Sequence, residues 1–293
     1  MPLLGPRLIV AGTHSGVGKT TVATGLLVAL RSAGHRVAAA KVGPDFIDPG
    51  YHALASDRPP RNLDPWICGV DATVALAARA SAGADVLVVE GVMGLFDGAA
   101  DGTASSTADV ARLLDAPVML VIDAGAMGGS VAAVVHGFAT LDPRVRIGGV
   151  VLNRVGSEGH AIQLREALEP LGIAVVGVLH RDDRLVWRDR HLGLVPVLED
   201  STAVVSTLDR LGRAIAEGFD LDAIVALARS ARPFAADDVR VPAHGPLVRV
   251  GVAAGPAFTF LYTDTADALT AGGAEVVPFD PLVATALPEH LAG

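Results

Sequence analysis

The stretch Ala11-Gly12-Thr13-His14-Ser15-Gly16-Val17-Gly18-Lys19-Thr20-Thr21 constrains the fold of this chain more than any other. It follows an apolar run, Arg7–Gly12, and opens a helical pattern over Lys19–Ala33. A buried strand that turns on glycines into a helix points backbone N–H groups inward at the positive end of the helix dipole, which suits phosphate oxygens. Lys19 then reaches the β- and γ-phosphates, and the Thr20 hydroxyl binds Mg²⁺. Thr13, Ser15, Gly16, Val17, Gly18, Lys19, Thr20 and Thr21 form the expected nucleotide-contacting set, with ATP and Mg²⁺ as cofactors. One departure stands out. The strict pattern wants Gly five residues before Gly18, where this chain has Thr13; the glycine sits one residue earlier, at Gly12.

Further apolar runs alternate with helical patterns. Val37–Lys41, Asp85–Glu90, Pro117–Asp123, Ile147–Asn153 and Ala174–Leu179 read as strands. Thr107–Leu114, Ser130–Thr140, Glu158–Leu168 and Leu208–Arg229 read as helices. Near-continuous apolar strands separated by helices predict an α/β fold, a mostly parallel sheet covered by helices on both faces. Ligands of such sheets bind at the carboxyl ends of the strands, where Gly12, Glu90, Asp123 and Asn153 fall. Around 230–246 the pattern lapses into Ala, Pro, Asp and His, as expected of a linker. Leu247–Ala254, Asp264–Ala271 and Glu275–Phe279 then read as a new strand, helix and strand. The expected organisation is therefore a nucleotide-binding domain over 1–229, a linker over 230–246 and a further α/β segment over 247–293.

Three acidic or amide positions add chemistry. In Lys41-Val42-Gly43-Pro44-Asp45-Phe46-Ile47-Asp48-Pro49-Gly50-Tyr51-His52, Asp45 and Asp48 lie three residues apart between prolines. They can hold a divalent metal near ATP or orient an amine; an ordinary Pro/Gly/Asp turn is the alternative. Glu90 ends a buried strand, the usual place of a second Mg²⁺ contact, so Thr20, Asp48 and Glu90 form the expected metal set. Asn153 ends another strand and either reads the adenine edge through its amide or caps the next helix. Arg181–Arg184 and Arg190–Leu194 either meet an anionic substrate or form surface ion pairs. Cys68 follows Trp66-Ile67 and is expected to pack rather than react.

Composition excludes several classes. A net charge of −9 with no basic run argues against nucleic acid. The apolar segments are short and broken, so none spans a bilayer. A single cysteine allows no intrachain disulfide and fits the cytoplasm. No His pair has zinc-ligand spacing.

The shifted glycine loop resembles dethiobiotin synthetase and its relatives. A closer resemblance is carried by seven motifs in order: GPDFIDPGYH, RNLDPW (Arg61–Trp66), EGVMGLFDG, STADVA (Ser106–Ala111), VIDAGAMGGSVAA (Val121–Ala133), LNRVGSEGH (Leu152–His160) and RHLGLVP (Arg190–Pro196). Together they resemble the cobyrinic or hydrogenobyrinic acid a,c-diamide synthases of cobalamin biosynthesis, over about Arg7–Glu199 and again from Leu247. The resemblance implies a C–N bond-forming ligase of the P-loop class. ATP would phosphorylate the c- and then the a-carboxylate of a corrin acid, and ammonia would displace phosphate. Lys19, Thr20 and Mg²⁺ would stabilise charge moving onto ADP; Asp45, Asp48 and Glu90 would position metal, intermediate or ammonia. The family carries a C-terminal glutaminase domain as its ammonia source, and 247–281 resembles only its beginning. Its nucleophilic Cys and partner His would lie beyond residue 293, so the chain is expected to use ammonium but not glutamine. A homodimer is left open. The rival readings are a ligase like cobyric acid synthase or dethiobiotin synthetase and, from another class, a partner-regulated ATPase switch.

Overall fold

The computed structural model describes residues 3–185, 189–190, 193–194, 201–237 and 247–293, with only the backbone of 183, 189–190, 193–194 and 201–203. The motif Arg190–Pro196 therefore lies largely outside the described residues, as does 238–246 of the expected linker.

The chain opens with β1 (Leu3–Leu4) and β2 (Arg7–Gly12), followed by α1 (Lys19–Ser32), β3 (Val37–Val42) and α2 (Asp48–Ser56). Next come β4 (Arg61–Leu63), α3 (Pro65–Cys68), α4 (Val70–Ser81), β5 (Val86–Glu90) and α5 (Thr107–Leu113). Then follow β6 (Val118–Asp123), α6 (Ser130–Thr140), β7 (Ile147–Val155), α7 (Glu158–Leu168) and β8 (Val175–His180). The short β9 (Asp189–Arg190) and β10 (Gly193–Leu194) precede α8 (Ser201–Gly218), α9 (Leu221–Arg229) and β11 (Phe234–Ala235). The chain finishes through β12 (Val248–Ala253), α10 (Thr263–Ala271) and β13 (Ala274–Phe279).

Seven strands form one parallel sheet in the order β4-β3-β5-β2-β6-β7-β8. Its two faces bury separate cores, and residues alternate between them along each strand. Ile9, Ala38, Ala40, Leu87, Val89 and Leu120 face α4, α5, α6 and α7. Leu8, Val10, Ala39, Val86, Val88 and Val121 face α1, α8 and α9. Both faces are covered, which is why the strands read as unbroken apolar runs. The chain leaves β2 for β3 and β4, returns beside β2 as β5, and crosses to β6 on the other side. The carboxyl end of β2 thus lies where the winding reverses, the usual place of a ligand crevice.

Two sequence expectations change. Leu208–Arg229 is two helices, not one: Asp220 caps α9 by accepting from the Ala223 N–H at 2.9 Å. The ring of Phe219 lies where a side chain on Gly177 would sit, so the chain turns onto β8 between the helices. The segment after Gly43 does not stay a turn, because α2 starts at Asp48 with Pro49 in its first turn, a position that needs no N–H. Within the expected linker, β11 pairs antiparallel with β1. Beyond it, β12 and β13 form a separate parallel pair. This last segment touches the first: Arg61 pairs with Asp264 and Asp267, and Phe46 stacks on Phe260 and Tyr262.

Candidate functional site

Strand register builds the centre of the site. In the β3–β5 pairing Lys41 lies opposite Glu90, so their side chains leave the sheet on the same face, toward α1 and α2. Thr20 is in the first turn of α1, Asp48 begins α2, and His52 follows one turn later on the same face. These elements bring five side chains together. The Thr20 hydroxyl donates to Glu90 Oε1 at 2.7 Å and lies 3.3 Å from Asp48 Oδ2. Lys41 Nζ lies 2.9 Å from Glu90 Oε1, 2.8 Å from Asp48 Oδ2 and 3.0 Å from the Gly91 carbonyl. His52 Nε2 lies 2.7 Å from Glu90 Oε2.

Charge in this cluster is balanced by contact. Burial alone would push the Glu90 carboxyl up, but Lys41, His52 and Thr20 outweigh it and hold Glu90 well below the ordinary carboxylate range. Asp48 goes the other way: burial and the neighbouring Glu90 charge push it up to about 7 against the pull of Lys41. Burial disfavours the charged form of Lys41, yet the two carboxylates raise it above an ordinary lysine. Lys19, 8% exposed, is shifted down by burial and then by Lys41; its ammonium donates to the His14 carbonyl at 3.2 Å.

Above this floor lies a cavity of about 590 Å³ lined by Ser15, Gly16, Gly18, Lys19, Thr20, Thr21, Asp48, Glu90 and Asn153, with Lys41, Met93 and Arg154. Most of the expected site residues thus share one cleft. Thr13, Val17 and Asp45 do not line it. Val17 packs its side chain into the core and presents its carbonyl to Asn153. Asp45 accepts from the Ile47 and Asp48 N–H groups, so it shapes the start of α2, and it lines a smaller apolar pocket with Phe46, Ile47, Val92 and Phe260.

The glycine loop is clipped from the far side. Asn153 Nδ2 donates to the Val17 carbonyl at 2.8 Å, and the Arg154 guanidinium joins the Gly16 carbonyl to Asp123. Gly18 has φ +95°, and a Cβ there would clash with Asn153 Nδ2. On the near side Leu95 N–H donates to the Gly12 carbonyl at 2.9 Å, so the loop 91–98 leans on the glycine loop. Met93 in that loop, with φ +48°, sits at the cavity edge. At the opposite end Arg181 and Asp182 line the cavity, while Arg184 forms a forked surface pair with Asp182.

Sequence reasoning missed Lys41, His52 and Arg154 as site residues. All three stood inside quoted motifs; what was lacking was the register that faces Lys41 toward Glu90 and the helix that places His52 four residues after Asp48. The expectation for Cys68 fails. The residue is exposed rather than packed; partial burial of its thiol and the nearby Asp64 and Asp264 raise it, so it is no activated nucleophile either.

Among the described residues no cluster of three or more His, Cys, Asp or Glu side chains could hold a metal. Two carboxylates and a hydroxyl nevertheless make an all-oxygen donor set, which fits Mg²⁺ when phosphate oxygens complete the shell. No described helix is long and apolar enough to cross a membrane.

A glycine loop between β2 and α1, at the winding reversal of a parallel sheet, with lysine, threonine and carboxylates converging on it, defines a P-loop nucleotide-binding protein. Residues 8–194 match the family described as CbiA, the CobQ/CobB/MinD/ParA nucleotide binding domain, and the chain belongs to that family. Among curated proteins it is 48% identical, over 98% of its own length, to the hydrogenobyrinate a,c-diamide synthase of Streptomyces coelicolor. Identity is 51% over 96% of the chain with the protein of that name from Mycobacterium tuberculosis, and 41% over 98% with the cobyrinate a,c-diamide synthase of Dehalococcoides mccartyi. The chain spans 66%, 63% and 63% of those relatives' own lengths. Among solved structures, the cell division protein FtsY of Thermotoga maritima overlaps 77% of this chain and 68% of its own at 19% identity and a TM-score of 0.41.

Proposed function

We propose that this chain is the ATP-dependent part of a hydrogenobyrinate or cobyrinate a,c-diamide synthase. The observation that carries the reading is the convergence of Asp48, Glu90 and Lys41 on the Thr20 hydroxyl beside the glycine loop. The names of the relatives support the substrate class, and those named for hydrogenobyrinate stand at 45–51% identity against 40–41% for those named for cobyrinate, which favours the cobalt-free acid. The 247–293 segment is read as the start of a glutaminase-like unit, and the chain as a cytoplasmic enzyme.

The chemistry follows from the unreactivity of a carboxylate toward ammonia, since hydroxide is a poor leaving group. A corrin carboxylate oxygen attacks the γ-phosphorus of ATP; the O–P bond forms as the bond to the bridging β–γ oxygen breaks, and ADP leaves with the electron pair. Ammonia then attacks the acyl carbon, the C–N bond forms, phosphate departs with the C–O electrons, and the nitrogen loses a proton. Lys19 and the loop N–H groups stabilise charge gathering on the phosphates. Thr20, Asp48 and Glu90 would hold Mg²⁺, which supplies charge neutralisation to the β- and γ-oxygens. Asn153 and Arg154 keep the glycine loop in place from behind. Asp45 fixes the turn that delivers Asp48, and through Phe46 the same turn meets the apolar pocket beside the cleft.

The test is incubation with ATP, Mg²⁺, ammonium and each corrin acid, followed by mass spectrometry. The reading predicts products lighter by the difference between a hydroxyl and an amino group for each carboxylate converted. ATP consumption that ignores both corrin acids would sink it.

A further inference from the structure

Lys41 occupies an unexpected position for a lysine. Its side chain is 4% exposed, and its ammonium contacts Asp48 Oδ2, Glu90 Oε1 and the Gly91 carbonyl within 3.0 Å. The first two oxygens are also those the Thr20 hydroxyl addresses. A cation already sits, covalently tethered, on the oxygens of the expected metal set.

The charge count gives this placement a consequence. Asp48 and Glu90 supply the negative charge of the cleft floor, and Lys41 with Lys19 supplies the positive charge facing it. A divalent ion entering alone would bring excess positive charge into a poorly solvated place, at a high cost. A nucleotide changes the balance, because its phosphates add several negative charges along Lys19 and the loop. The lysine ammonium, on a flexible stem, can then turn toward phosphate oxygens and release the carboxylates.

Building on the reading of Thr20, Asp48 and Glu90 as the metal set, we propose that Lys41 is the resident counter-ion of these carboxylates. It keeps a divalent cation out of the nucleotide-free protein, so that cation and nucleotide bind together. The partner class is a divalent cation accompanied by a nucleoside triphosphate or diphosphate. The arrangement couples the two ligands through one side chain, without a change of fold. It also keeps two carboxylates from standing uncompensated when the cleft is open to solvent.

The test is direct titration of Mn²⁺, followed by electron paramagnetic resonance, into wild type, Lys41→Met, Lys41→Gln and Lys41→Arg, each with and without ADP. Wild type should bind Mn²⁺ at least about tenfold more tightly with ADP than without it, a gap of one 1.4 kcal/mol step. Lys41→Met and Lys41→Gln should narrow the gap by binding nucleotide-free Mn²⁺ more tightly than wild type, while Lys41→Arg, which keeps the charge, should behave as wild type. A lysine with a merely structural role would do the opposite, since its loss loosens the site and weakens the metal. Nucleotide-free variants that fold, by circular dichroism, and bind Mn²⁺ no more tightly than wild type would overturn the proposal. Should neither neutral variant fold, nucleotide-free wild type decides: Mn²⁺ held as tightly as with ADP refutes the proposal, and no detectable Mn²⁺ binding without ADP supports it. Wild type that takes up no Mn²⁺ even with ADP removes the metal reading itself, a separate outcome.

Discussion

His52 and Glu90 meet beneath the cleft with imidazole Nε2 2.7 Å from carboxylate Oε2, each side chain only 1% exposed. Because Glu90 is held ionised by Lys41 and Thr20, it can only accept, so His52 Nε2 carries the proton between them. Among the described residues, His52 Nδ1 finds no hydrogen-bond partner. The imidazole thus spends its one bond on fixing Glu90, leaving Oε1 turned to Thr20 and Lys41. Replacing His52 with Ala should weaken Mg²⁺ in the nucleotide complex about 10–100-fold, the usual cost of losing a group that orients a metal ligand. Gln, which can reach with an amide N–H, should recover part of the loss. The Mg²⁺ dependence of ATP turnover measures both.

Among the described residues, the Lys19 ammonium faces the cleft with a single hydrogen bond, to the His14 carbonyl. It is poised for phosphate rather than built into the core. Lys19→Met should lower ATP turnover by about 100-fold or more, the scale for removing a charge-stabilising donor. The melting temperature should move little. Phosphate release and a thermal melt together check this.

Gly18 and Asn153 fit against one another. Gly18→Ala should cost about 1–2 kcal/mol through its left-handed backbone and also push Asn153 from the Val17 carbonyl. Asn153→Ala removes only the clip and should weaken nucleotide by about tenfold, one buried hydrogen bond's worth. Equilibrium binding of a fluorescent nucleotide separates the two, since the glycine variant should lose binding almost completely.

Much of this arrangement was legible in the residues, and the rest was hidden for definite reasons. Apolar runs such as Val86–Glu90 and Val118–Asp123 announced strands because both faces of the sheet are buried. The glycine loop, Asp48 and Glu90 could be named because their chemistry is local to a motif. Lys41 could not, since a lysine at the end of a strand reads as exposed until the pairing sets it opposite Glu90. His52 was hidden by prolines and glycines in 43–50, which suggested a turn where a helix begins at Asp48. β4 is three residues long and α3 four, too short to show a period. Cys68 misled because its large apolar neighbours Trp66 and Ile67 suggested packing, whereas α3 presents Trp66, Ile67 and Cys68 outward.

Arg61 ties the large sheet domain to the segment after 247, reaching both Asp264 and Asp267. Its side chain is 14% exposed, so the pairs are partly shielded from solvent. Arg61→Met should speed amide hydrogen exchange across α10 and the 258–262 stretch while leaving α1 unchanged. Because Phe46 stacks on Phe260 and Tyr262, the 44–47 turn should also exchange faster. Mass-resolved hydrogen exchange reads all three regions in one experiment.

In the proposed function, ATP activates a corrin carboxylate as an acyl phosphate above Lys19, Asp48 and Glu90. This step is tested most directly with corrin acid whose carboxylate oxygens carry a heavy-oxygen label, incubated with the chain, ATP, Mg²⁺ and ammonium. Inorganic phosphate released with each amide should carry one heavy oxygen from the substrate. Amide formed alongside unlabelled phosphate would contradict it.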